Sequence, residues 1–167
     1  MKTLRESGWD VVYGPAGSGN IINRPDKTIT IDSNSQDNPG EVVRLLAYER
    51  GHVQYFTALD VSSKTAYLNA IFRNEGAVIM KNIQIQREIM ANGGPDIGLP
   101  GHPDNHAAYN AVYDQYLEDG NMAVACLAIG DIFAKDESPP IYPNQTYEDC
   151  FSRYYDEYYN DEHCDEH

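Results

Sequence analysis

Apolar residues alternate with polar ones near the amino end of the chain, then recur at helical spacing over most of its remaining length. Residues Trp9 to Tyr13 read as a short strand, and Lys27-Thr28-Ile29-Thr30-Ile31-Asp32 is β-branched and alternating, which predicts a second. Between them, Gly14 to Asn20 is turn chemistry. It is glycine-rich but lacks the lysine and spacing of a phosphate-binding loop.

From residue 38 onward the period is that of helices. Asn38-Pro39 places a cap residue before a proline at the first helical position, with Glu41 in the first turn. Positions 42, 45, 46, 49, 52, 53 and 56 then share one face. Glu49 and His52 interrupt that otherwise apolar stripe, which ends at Phe56. Ser62-Ser63 can cap a second long helix, from about Lys64 to Ala91, that Asn92-Gly93-Gly94-Pro95 terminates. Further helices are expected from about Asn105 to Glu118, through Ala123 to Phe133, and from Tyr147 to Tyr159 behind a Thr146 cap. Strands first and helices afterwards predict an α+β fold, read as a single domain over residues 1–167.

Composition narrows the function classes. A formal net charge of -14 excludes electrostatic binding to nucleic-acid backbones or to anionic membranes. It permits a basic partner. No apolar run approaches the roughly 18 residues of a membrane span. No apolar stretch follows Met1 to Arg5, so synthesis in the cytoplasm without a signal peptide is expected. Export by a specialised secretion system that needs no cleaved signal is compatible with this. Cys126, Cys150 and Cys164 are odd in number and lack CxxC spacing, which argues against a disulfide framework or a cysteine zinc site.

The polar interruptions of the first helix carry chemistry. In His-Glu-x-x-His, two histidines one turn apart chelate a metal and the glutamate serves as general base on metal-bound water. Here the five positions read Tyr48-Glu49-Arg50-Gly51-His52, after the apolar lead-in Leu45-Leu46-Ala47. Downstream comes Arg73-Asn74-Glu75-Gly76-Ala77. Together these resemble the zincin metallopeptidases of the glutamate type. The segments Asn82 to Gly98 and His106 to Asn110 are similar to the metallopeptidase domains found at the ends of bacterial polymorphic toxins.

That resemblance implies a zincin-like fold, with a short N-terminal sheet on which the active-site helix packs. It implies Glu49 as catalytic base and zinc held by His52 and Glu75, with Tyr48 in place of the first histidine. Gly76 would allow two helices to approach closely beside Glu75. The strand Thr28 to Asp32, with Thr30 and Asp32, would be an edge strand binding extended substrate by backbone pairing. His106 would support the site as a donor. Protein or peptide would be the substrate, with a cognate immunity protein as a further partner, in an effector delivered by contact-dependent or type VI-like secretion. Tyrosine binds zinc only as phenolate, and its ordinary pKa is near 10, so weak or absent zinc binding is expected. The domain is then an impaired metallopeptidase, or alternatively a non-catalytic pseudoenzyme acting as a binding or immunity-type protein.

Other readings of these residues stay open. Glu75 could instead pair with Arg73 or Arg50. His102 and His106 could chelate a metal if both were helical, although Pro103 and Asp104 lie between them. Tyr147, Phe151, Tyr154, Tyr155 and Tyr158 form a stripe that serves as core or as a partner surface. His163, Cys164 and His167 lie in an acidic tail that reads as solvated.

Overall fold

In the computed structural model, residues 4–55, 58–139 and 141–159 are described. Phe56, at the end of the first helix's apolar stripe, and His163, Cys164 and His167 of the tail lie outside them. The backbone divides into two compact units. One comprises residues 1–55 and 81–100, and the other residues 56–80 and 101–167.

The first unit contains the only sheet among the described residues. Its strands are β1 (Asp10–Gly14), β2 (Ile21–Asn23) and β3 (Thr28–Asp32), in the order β1-β3-β2. β3 runs parallel to β1 and antiparallel to β2. Its alternation places Ile29 and Ile31 in the core, both fully buried. β2 has no counterpart in the sequence pattern, because three residues after a glycine-rich turn are too few to display a period.

This topology corrects one expectation. β3 is the central strand, not an edge. Thr30 is matched to Val12 on one side and to Ile21 on the other. A central strand's backbone groups already serve its two neighbours, so Thr30 offers no open ladder to a substrate.

Helix α1 (Pro39–Gln54) starts where Asn38 accepts a hydrogen bond from the Glu41 amide, at 3.2 Å. It packs on β3. Helix α2 (Lys64–Ala91) starts with the Ser63 hydroxyl accepting from the Ala66 amide. It ends in a Schellman turn: Gly93, at φ 77°, donates to Met90 O and Gly94 donates to Ile89 O. Residues 81–91 of α2 belong to the first unit. There Asn82, fully buried, donates from Nδ2 to Arg44 O on α1 at 3.1 Å.

The second unit holds residues 64–80 of α2 together with α3 (His106–Asp119), α4 (Met122–Asp136) and α5 (Tyr147–Tyr158). Gly76 sits against α4 so tightly that a Cβ there would lie 1.9 Å from Cys126 O. Gly130 on α4 is the reciprocal notch, 2.2 Å from Phe72 O by the same construction. The close helix approach expected at Gly76 is therefore real, and its partner is α4. α5 opens with a full capping box between Thr146 and Asp149. Among the described residues, no helix is long and apolar enough to cross a membrane.

Candidate functional site

Three of the motif residues stand on α1 inside the first unit. Helical spacing puts Tyr48 and His52 on one face, and their rings meet edge to face with centroids 4.8 Å apart. Burial is the main reason the His52 imidazole has its pKa pushed down to about 4, and the nearby Arg24 charge adds to it. Arg24 also donates to the His52 carbonyl oxygen at 2.9 Å, anchoring the last turn of α1. His52 is thus a neutral imidazole at neutral pH, the form that ligates a metal or accepts a proton. Glu49 is buried, at 8% exposure.

Asp32, at the end of β3, has a clear local task. Its two carboxylate oxygens accept from the backbone amides of Gly17, Gly19 and Asn34, at 3.0, 2.9 and 2.9 Å. These bonds, first of all that from Asn34, hold its carboxyl below the usual carboxylate range. Asp32 therefore folds the glycine-rich turn around itself and caps the short turn Ser33–Ser35.

Glu75 lies on α2 and His106 on α3, both in the second unit. Desolvation pushes up the pKa of the Tyr147 and Tyr109 hydroxyls, and the Glu75 charge adds to both. His106 opens α3, and its Nε2 is buried with no hydrogen-bond partner among the described residues. His102 is not helical. Its Nδ1 caps the turn Pro103–Asn105, accepting from the Asp104 amide at 3.4 Å. The separation by Pro103 noted in the sequence thus keeps His102 out of α3.

Glu137 is a heavily bonded carboxylate of the second unit that no sequence signal marks. It follows α4 in a stretch that reads only as loop. It is 6% exposed and accepts from the His102 amide at 2.8 Å, Asn105 Nδ2 at 3.0 Å and the Tyr109 hydroxyl at 2.9 Å. Gly101 is in the left-handed region at φ +81°, and a Cβ there would fall 2.2 Å from Glu137 Oε1. Glu137 thereby ties the entry to α3 onto the end of α4. Its backbone carbonyl also receives the Tyr147 amide at the start of α5.

Zinc sites take three or four protein ligands. Among the described residues, no three His, Cys, Asp or Glu side chains gather in a group able to hold a metal ion. The Tyr48 phenol packs against the His52 ring, and a phenol binds zinc only once ionised. On α1, His52 and Glu49 by themselves fall short of the three protein ligands that a zinc takes. The chain matches no protein-family model, no curated protein and no solved structure.

Proposed function

We propose that this chain is a zincin-type metallopeptidase domain, of the kind carried by bacterial polymorphic toxins, whose peptide hydrolysis is disabled at Tyr48. The observation that carries the reading is on α1. A buried Glu49 and a neutral His52 occupy the base and second-ligand positions of the motif, while the Tyr48 ring fills the first. A helix packed on a small mixed sheet supports it. In this reading the ancestral substrate is protein or peptide, and export follows a specialised secretion route.

A second reading has its own support. The Tyr48–His52 ring contact is a packing interaction, and ring pairs of this geometry contribute about 0.5–1.5 kcal/mol beyond area burial. A site that has gained packing where it lost a ligand suits a pseudoenzyme retained for binding a partner, in an immunity-type or scaffolding role.

Metal analysis of the purified chain and of Tyr48→His, each after exposure to zinc and desalting, tests both. The expected result is little zinc in the parent and about one zinc per chain in the variant. Gain of peptidase activity with the metal favours the impaired enzyme, and gain of metal alone favours the pseudoenzyme. Zinc in neither form would remove the metallopeptidase assignment.

A further inference from the structure

We infer that the outer face of α5 is a docking groove for an arginine-rich segment of a partner protein. The tyrosine stripe of this helix divides in two. Tyr147 stacks on Phe133 at 4.4 Å and Tyr155 is buried, its hydroxyl donating to Val61 O, so these residues belong to the core of their unit. Tyr154 and Tyr158 do not. They are 46% and 60% exposed, with ring centroids 4.5 Å apart. Together with Ile141, Tyr142, Arg153 and Glu157 they line an open groove of about 340 Å³.

The groove already shows which chemistry it accepts. The Arg153 guanidinium lies over the Tyr142 ring, 5.2 Å from its centroid. Tyrosine faces attract cations, and planar guanidinium stacks on them better than ammonium does. The exposed parts of Tyr154 and Tyr158 offer the same ring surface to a second guanidinium, beside the Glu157 carboxylate, which accepts a hydrogen bond from the Tyr158 hydroxyl. Other acids of α5 are engaged elsewhere: Asp149 in the capping box and Asp156 with Lys64 at 2.5 Å.

Charge selects the occupant. Residues 148–167 include Glu148, Asp149, Asp156, Glu157, Asp161, Glu162, Asp165 and Glu166 against the single cation Arg153, in a chain of net charge -14. A second copy of the chain, equally acidic, is repelled, whereas a basic segment is steered in. The inference stands apart from the α1 motif and does not depend on zinc.

Fluorescence anisotropy with labelled octa-arginine and octa-lysine peptides, titrated with the full chain at physiological salt, tests it. Octa-arginine should bind more tightly than octa-lysine. Tyr154→Leu/Tyr158→Leu should weaken octa-arginine binding about tenfold with no change in net charge, the loss of two ring–cation contacts. Tyr154→Phe/Tyr158→Phe, which keeps both faces, should bind within about threefold of the parent. Should the leucine pair fail to fold, Tyr158→Leu alone should still weaken binding about threefold. Three results would overturn the groove: no binding of either peptide, equal binding of the two, or parental binding by the leucine variants. The last two would show diffuse charge attraction instead.

Discussion

Tyr48 and His52 face each other one turn apart on α1, their ring planes 87° to one another. In a working zinc helix of this motif two such positions present two imidazoles to one ion, and here one of the two rings is a phenol. Tyr48→His exchanges the ring contact for a chelating pair. In the absence of zinc the variant should therefore be less stable than the parent, by about 1 kcal/mol for the lost ring pair. With zinc the order should reverse. A ligand at a hundredfold its dissociation constant adds about 2.7 kcal/mol to the folded state. Thermal unfolding of both forms, with zinc and with chelator, measures this. A Tm in the variant that ignores zinc would count against the ligand role proposed for His52.

The neutral state of His52 has a consequence for pH. Its folded pKa is depressed to about 4 from 6.5, so the unfolded chain binds the extra proton across that window. The associated stability is fully present above about pH 6.5 and is lost as pH falls towards 4. The whole shift corresponds to about 3 kcal/mol. Urea unfolding at several pH values, parent against His52→Gln in chelator, isolates the contribution. The stability difference between the two should narrow steadily on acidification through this window. A gap independent of pH would mean that His52 takes up its proton as readily in the folded protein as in the unfolded chain.

Local rules made most of the helical frame legible. Asn38-Pro39, Ser63, the Asn92-Gly93-Gly94 stop and the Thr146 cap each act through a few neighbouring atoms, and each forms as its residues predict. The sheet order was not legible. Nothing in Lys27 to Asp32 says that a three-residue strand will pair beside it, and that pairing is what makes β3 central. The candidate site divides in the same way. Tyr48, Glu49 and His52 stand on α1 as helical spacing requires, because one helix fixes all three. Glu137 was invisible because its importance depends on which distant amides converge on it. The tyrosine stripe of α5 could be seen, but its division into buried and exposed halves needed the neighbouring helices.

Gly76 offers a test in which two effects have opposite sign. In an exposed helix, Gly→Ala stabilises by about 1 kcal/mol. At Gly76 the added methyl would meet Cys126 O at 1.9 Å, and the neighbour is backbone, which cannot rotate away. Forced overpacking of this kind costs roughly 1–3 kcal/mol and sometimes more. Gly76→Ala should therefore destabilise by about 1 kcal/mol net. Chemical denaturation decides it, and a stabilised variant would show that α2 and α4 are not held at this distance.

Glu137 supports the sharpest expectation for the second unit. Truncation to alanine removes one acceptor from three donors at once: the His102 amide, Asn105 Nδ2 and the Tyr109 hydroxyl. Each unsatisfied buried donor costs about 1–3 kcal/mol, although the loop 101–105 can open to water and recover part of that. Glu137→Ala should lose about 3 kcal/mol, and Tyr109→Phe, which removes one donor and leaves the other bonds in place, about 1 kcal/mol. The double variant should cost less than the sum, because the Tyr109 hydroxyl has no acceptor left to lose once Glu137 is gone. Unfolding free energies of the four forms give the coupling directly. Strict additivity would show that the 2.9 Å contact between them contributes nothing to the fold.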